Sequence, residues 1–499
     1  MIQPDGSGSA PHLVMLSGSH AQHDSRVRKS AATAARGGFR VTVLAPSPTA
    51  ARFAEVVEAD RDIGCGTGGG RWQLINVPVG RQERDRATRP RTLGRLGYAS
   101  EQEASAAAER LTVGTGSLQG SRAKIVRLRT LILRYRQTRR IYRERWAQPA
   151  LSLLLKVPSM SRWQRLVPES SDLDVALGPV VDELQPDLLQ SHDVQTINVV
   201  AGAVDRAAAE GRRVPWIYDA HEHIAGLTGY PLDRLTGLVD LESSFIRRAD
   251  AVLTVCEPIA DHLYRHYGLR ERPTVVLNAP PLADRGRAAV EPPGSRSLRA
   301  DAGLGPEVPI VVYSGKVDAD RGVGDLVTAL PLLRPDVHVV LITNRLSGDT
   351  YLARLRADAE QRGCADRLHV VPYVLPEALV GYLSGATIGF AGFSHIGNHE
   401  LALPNKFFDY LHAGVPMVVS DLELLGALVP ELGVGQVYAF GDPAGLAAAV
   451  GRLLDGRDAY LAAVGDPRLL HRYCWQAQEP ALLAVYGRLA SFRPSTEAR

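Results

Sequence analysis

Apolar residues along this chain fall into short runs, and the stretches between them carry helical spacing. The run at 12–17 is followed by helical spacing from 24 to 36, a stop at Gly37-Gly38, and a β-branched run at 40–46. Strand, helix and strand in that order predict a βαβ unit, and hence a parallel sheet. The alternation recurs with a strand at 186–191, a helix at 194–210 and a strand at 214–219, and further strands are predicted at 251–255 and 274–278. A second series has strands at 308–314, 338–342, 368–371, 387–391 and 416–420, with helices between them. Residues 279–295, between the two series, are rich in Pro, Gly and charge, as a linker requires. The fold expected is α/β, with two doubly wound Rossmann-like domains facing each other across a cleft. In such sheets ligands sit beyond the carboxyl ends of the strands.

Size agrees with that division, because 499 residues exceed what one core usually holds. The expected boundaries are a first domain at 1–282, a linker at 283–300, a second domain at 301–470, and a helix within 471–499 that packs back on the first domain. With 45% apolar residues, 22% charged residues and a net charge of +3, the chain reads as an ordinary globular protein and gives no reason to expect a nucleic-acid partner. Cys65, Cys256, Cys364 and Cys474 are far apart and show neither a disulfide framework nor metal-ligand spacing. No charged leader with an apolar core opens the sequence, and no window reaches about 18 apolar residues, so a cytoplasmic location is expected.

One segment breaks the alternation, an irregular insertion at about 80–170. From Ser121 to Arg145 it holds ten basic residues against one acid, Glu144. Ile125, Leu128, Ile132, Tyr135 and Tyr142 form a stripe at helical spacing, with Trp146 beyond. Segment 121–146 therefore suits a helix lying on an anionic membrane surface, which would place the protein peripherally at the inner face. The competing reading is a helix whose stripe packs on the domain and whose arginines are solvated.

Two loops carry candidate chemistry. In Leu403-Pro404-Asn405-Lys406, Pro404 suits a first helical turn, Asn405 and Lys406 stand where donors are wanted, and Gly414 with Pro416 stops the helix. Exposed amides and the helix dipole there would favour a phosphate; an ordinary helix with a lysine in its first turn is the alternative. The loop after the first strand of the second series contains Gly315-Lys316 and Arg321-Gly322. Gly315 permits close backbone approach, and the two cations could neutralise a diphosphate. Asp318 and Asp320 lack further ligands nearby and read as loop polarity, so no metal is expected.

These pieces, in this order, resemble a GT-B glycosyltransferase of the retaining family 4 (glycosyltransferase group 1), from the subgroup with a Pro-Asn-Lys motif. The matching residues are Asp24-Ser25-Arg26-Val27, His192-Asp193, Tyr218-Asp219-Ala220-His221-Glu222, Gly315-Lys316 to Arg321-Gly322, Leu403-Pro404-Asn405-Lys406-Phe407-Phe408-Asp409-Tyr410-Leu411 and Ala413-Gly414-Val415-Pro416. The resemblance implies transfer of a sugar from a nucleotide diphosphate sugar to an acceptor hydroxyl, with retention and with no required metal or cofactor. It implies catalytic roles for His192, Lys316 and Arg321, and donor contacts from Gly315, Glu400, Pro404, Asn405, Lys406 and Asp409, with Asp409 on the ribose. Asp24, Arg26, Asp193, His221 and Glu222 would shape the acceptor side. Strand-end histidines can also simply cap loops, and Asp24 can simply start a helix. Two departures stand out: Asp409 replaces the more usual Glu, and Leu401 stands where the family's first acid falls, with Glu400 one residue off register.

The expected product is a cell-surface glycan, polysaccharide or glycolipid, the acceptor being a glycan or a lipid-linked molecule. A sugar-nucleotide epimerase on the same fold and a non-catalytic binding partner are the competing classes. No carboxylate pair presents itself in the glycosidase manner, which favours a front-face route in which the leaving phosphate takes the acceptor's proton.

Overall fold

The computed structural model describes residues 10–19, 21, 24–47, 52–58, 70–80, 163–282, 296–344 and 350–491. The basic segment 121–146 and most of the expected linker lie outside them. Two sheets organise the molecule. The first contains β1 (His12–Ser17), β2 (Arg40–Pro46), β3 (Phe53–Glu58), β4 (Arg71–Val77), β5 (Leu188–His192), β6 (Trp216–Ala220), β7 (Ala251–Thr254) and β8 (Thr274–Val275). Its order is β3-β4-β2-β1-β5-β6-β7-β8, parallel throughout except for the β3–β4 pair. The second contains β9 (Ile310–Ser314), β10 (His338–Thr343), β11 (Leu368–Pro372), β12 (Ile388–Ala391), β13 (Met417–Ser420) and β14 (Gly435–Tyr438). Its order is β11-β10-β9-β12-β13-β14, all parallel. Both sheets are covered by helices on each face, which is the doubly wound α/β architecture expected.

Strand alternation divides each core into two layers. Val14, Leu16, Leu189 and Tyr218 face one side of the first sheet, and Leu13, Met15, Leu188 and Ile217 face the other. Trp475, Leu482, Tyr486 and Leu489 of the Trp475–Ala490 helix join that second layer, and the Tyr486 hydroxyl donates to Gln190 Oε1 at 2.7 Å. This helix is therefore part of the first domain's core.

Three strands escape the sequence pattern: β3, β4 and β14. β4 (Arg-Trp-Gln-Leu-Ile-Asn-Val) interleaves polar residues among buried ones, and β14 is four residues long and opens on a glycine. The strand expected at 274–278 closes after Val275, because Val276 to Pro280 forms the crossover between domains. Ala279 and Leu298 both pack in the second domain's core, as does Tyr473, just before the returning helix. The chain thus changes domains at 276–280, a few residues before the expected 282, and again at 473–475, a few residues after the expected 470.

The two crossovers are stitched together. Trp475 N–H donates to the Pro280 carbonyl at 2.9 Å, and Leu277 and Leu282 amides donate to Gln478 Oε1 and Gln476 Oε1 at 3.2 and 2.8 Å. The Ser25–Arg36 helix supplies the remaining ties: Arg26 donates to the Val276 carbonyl at 2.6 Å, and Lys29 Nζ to the Ala279 carbonyl at 2.7 Å.

Candidate active site

The first lip of the cleft is built by register. His192 closes β5 directly beside Asp219 in β6, so the two side chains share a face, and His221, two residues beyond Asp219, lies on that face as well. His192 Nδ1 lies 3.1 Å from Asp219 Oδ2, and His221 Nε2 lies 3.3 Å from the same oxygen. His221 Nδ1 reaches Asp193 Oδ1 at 3.4 Å. Burial opposes a charge on His221, but Asp193 and then Asp219 overcome it and raise its pKa to about 9. Asp193 itself is pushed up, chiefly by burial, and holds a strained backbone at φ 61° without being glycine. His192 Nδ1 lies against Asp219 and, at 3.2 Å, His221 Nε2, whereas its Nε2 is buried and without a partner among the described residues. A substrate hydroxyl reaching that nitrogen would satisfy it.

Arg26 is not on the acceptor wall. It lies in the first turn of the Ser25–Arg36 helix, 2% exposed, and grips both oxygens of Asp219, with Nε at 2.9 Å from Oδ2 and Nη2 at 2.7 Å from Oδ1. That grip fixes the Asp219 carboxylate in place. Asp24 is the N-cap of the same helix, accepting from the amides of Arg26 and Val27 at 3.0 and 3.2 Å, so the helix-starting account describes it. Ligand-type atoms of Asp24, Asp193 and His221 lie within 4.8 Å of one another, as do those of His192, Asp219 and His221. A cation there would have to displace the His221 proton and, in the second group, the Arg26 guanidinium.

The second lip is cationic. The Asn405–His412 helix begins one residue later than expected, with Pro404 as its N-cap at φ −71° and ψ 149°. Lys406, in its first turn, sets Nζ over the rings of Tyr313 (4.8 Å to the centroid) and Phe393 (5.5 Å), and the Arg321 guanidinium stands 5.2 Å from the same Phe393 ring. Burial first, and then Arg321, pull the Lys406 pKa down. Arg321 Nε is buried with no hydrogen-bond partner among the described residues. Gly315, at φ +130°, admits this arrangement, since a Cβ there would stand 3.0 Å from Lys406 Nζ.

Lys316 is the outer member of the group. Its ammonium pairs with Asp318 and is 56% exposed, so Lys406 is the cation that joins Arg321 over the shared Phe393 ring. Asp409, one turn along from Asn405, has its carboxyl pushed up by burial against the opposing pull of Lys406 and Lys29.

Glu400 and Leu401 are held by contacts of their own. Glu400 accepts from the Glu423 amide at 2.8 Å and meets His395 Nδ1 at 2.6 Å, while His395 Nε2 meets Asp421 at 3.0 Å, so Glu400 ties the 392–401 loop to the next strand end. Leu401 packs against the first domain's core, and its carbonyl accepts from Cys256 Sγ at 2.9 Å. An apolar domain contact thus occupies the position where an acid was expected.

Between the lips lies a cavity of about 290 Å³, lined among others by Glu222, Thr228, Tyr230, Lys316, Arg321 and His399. Its first-domain wall is acidic at Glu222, whose carboxyl burial pushes up. Nearby the domains approach closely: the His223 amide donates to Asn398 Oδ1 at 3.0 Å, and a Cβ on Gly226 would meet the Asn398 nitrogen at 2.5 Å.

Sequence reasoning missed Lys29, Asn278 and Tyr230. Lys29, 5% exposed, donates to Asn278 Oδ1 at 2.8 Å and sits 4.8 Å from the Trp475 ring centroid, and Asn278 Nδ2 donates to Asn405 Oδ1 at 3.2 Å. Lys29 is one of four cations in the Ser25–Arg36 helix, and its local pattern did not single it out. Nothing local marks Asn278.

Two facing Rossmann-like domains with a cationic pair at a helix N-terminus define a GT-B enzyme of nucleotide-sugar glycosyl transfer. Residues 134–281 match the family described as Glycosyltransferase Family 4, and 308–456 match Glycosyl transferases group 1. The chain belongs to this glycosyltransferase family. A D-inositol 3-phosphate glycosyltransferase of Xylanimonas cellulosilytica is 28% identical over 324 residues, 60% of this chain and 73% of the relative. Among solved structures, the sucrose-phosphate synthase of Thermosynechococcus elongatus superposes with a TM-score of 0.62 at 14% identity, covering 97% of this chain and all of that one. The Anabaena protein Alr3699/HepE, solved with UDP and glucose, gives 0.55 at 13%, covering 97% and 100%. No helix among the described residues is long and apolar enough to cross a membrane.

Proposed function

We propose that the protein is a retaining hexosyltransferase, moving a sugar from a nucleotide diphosphate sugar to an acceptor hydroxyl in surface-glycan, polysaccharide or glycolipid synthesis. The observation that carries this reading is the Lys406–Arg321 pair, two cations held together over Phe393 with no ion pair to either among the described residues, Asp409 attracting Lys406 only from further off. Like charges brought together in a partly desolvated site are costly unless an anion joins them, and a diphosphate is the anion of the right charge. In the reaction they stabilise the charge that grows on the leaving phosphate, with Lys316 at the outer rim. Asp409 accepts from ribose hydroxyls, and His192 Nε2 accepts from a hydroxyl of the transferred sugar.

A front-face route suits the first lip, since Asp219 is committed to Arg26 and Asp24 to its helix cap. A covalent glycosyl adduct trapped on a side chain would refute that route. Thermal shift against a panel of sugar nucleotides, beginning with UDP-glucose because a fold neighbour was solved with UDP and glucose, tests donor binding. Failure of every nucleotide sugar to raise Tm or to be turned over would overturn the reading. Sugar NMR without acceptor separates transfer from epimerisation. The charge pattern of 121–146 supports a station on an anionic membrane surface, and flotation with liposomes that is indifferent to lipid charge would sink that part.

A further inference from the structure

We infer that Tyr230 is a stacking platform for an uncharged saccharide acceptor at the mouth of the cleft. The inference rests on the glycosyltransferase reading and specifies its acceptor. The cavity's volume, about 290 Å³, lies at the bottom of the roughly 300–1,000 Å³ range of small-molecule sites. It holds one monosaccharide-sized group. The acceptor ring therefore rests largely at the rim, and the rim is where Tyr230 stands, 42% exposed.

The ring is prepared for contact on one face. Arg234 stacks against Tyr230 at 5.7 Å from the centroid and is itself pinned by an ion pair with Glu169, which is 7% exposed. Leu232, two residues on, is 37% exposed and adds apolar surface to the same segment. Gly229, at φ +79°, makes the turn that presents the tyrosine, and Pro231 caps the helix that follows. Thr228, earlier in the same loop, hydrogen-bonds Asp320 of the other domain at 3.4 Å, so the loop is anchored on the donor side. A part-exposed aromatic ring braced by Arg234 suits the C–H face of a pyranose, which presents weakly positive hydrogens to the ring.

Charge selects within that class. Once the donor diphosphate occupies Arg321 and Lys406, the acidic side chain left on the acceptor wall of the cavity is Glu222, with Asp193 behind it. The Glu222 carboxyl offers oxygens to sugar hydroxyls and no cation to a phosphate monoester, while Lys316 at the outer rim is paired with Asp318. The structure therefore favours an uncharged glycoside over a phosphorylated sugar or polyol.

The test uses the full chain with the sugar nucleotide that raises Tm most. Acceptor-dependent release of nucleoside diphosphate is measured with methyl glycosides of glucose, mannose, galactose and N-acetylglucosamine, and with the corresponding sugar 6-phosphates. At least one methyl glycoside should exceed every phosphate. Tyr230→Ala should raise its KM about tenfold, while Tyr230→Phe and Tyr230→Trp hold it near the parent value, and the donor-induced rise in Tm reports that the variants remain folded. Glu222→Gln should narrow the gap between uncharged and phosphorylated acceptors. The inference is overturned if Tyr230→Ala leaves acceptor KM unchanged, if Phe does not rescue, or if phosphates are preferred. A protein that no sugar nucleotide stabilises would instead fail the parent reading.

Discussion

The two lips of the cleft handle charge in opposite ways. On the first, every charge around His192 is answered: Arg26 grips Asp219, and His221 spans Asp193 and Asp219. On the second, Arg321 and Lys406 are brought together and left without an ion pair among the described residues. A compensated network is a finished piece of architecture, costly to disturb from within. An uncompensated pair is a receptor, whose balance arrives with the ligand. Substitutions should therefore separate the lips: on the first they should cost stability, on the second activity.

The largest effect is expected at Arg26→Met, which strands a buried Asp219 and should cost about 3–5 kcal/mol in denaturant unfolding. If Tm barely moves, the first lip is not the rigid network described. Next come Arg321→Ala and Lys406→Ala, each expected to lower kcat/KM by about 100- to 1,000-fold. Their Tm without ligand should hold or rise, because each removes one of two mutually repelling cations. A loss of Tm matching that of Arg26→Met would erase the distinction. Lys29→Met should raise donor KM about tenfold through loss of the Lys29–Asn278–Asn405 connection, with kcat less affected.

The smallest predicted effect concerns pH. His221 has a folded pKa raised to about 9 from an ordinary 6.5, so its pairing stabilises the fold fully below about 6.5 and is lost as pH climbs through 9. Tm should decline across pH 7 to 10 in the parent and more shallowly in His221→Gln. Identical profiles would mean that the imidazolium pairing contributes nothing.

Much of the fold was legible because it is periodic. The runs at 12–17 and 40–46 around a helical stretch announce a parallel unit by themselves, and the second series repeats the message. The hairpin of β3 and β4 was not, since its polar positions interrupt the alternation. Among site residues, Lys406 was readable from a loop, a proline and a helix stop. The partners of Arg26 and Lys29 lie 193 and 250 positions away, and no local pattern encodes them. Loop spacing likewise suggested Lys316 with Arg321 as the cationic pair, whereas the local Asp318 draws Lys316 aside and the helix start supplies Lys406. At Leu401 the sequence showed a missing acid; the structure supplies the reason, a hydrophobic contact with the other domain.

The paired crossovers at 276–280 and 473–475 carry a consequence for biosynthesis. Topologically, the second domain is an insertion within the first, whose own core is completed by Trp475, Leu482, Tyr486 and Leu489. The Ser25–Arg36 helix packs in that same layer, but during translation the part left to the Trp475–Ala490 helix must wait for roughly two hundred intervening residues, which at about 5–20 residues per second is ten seconds or more. That remaining apolar part of the layer is the surface a nascent-chain chaperone would meet.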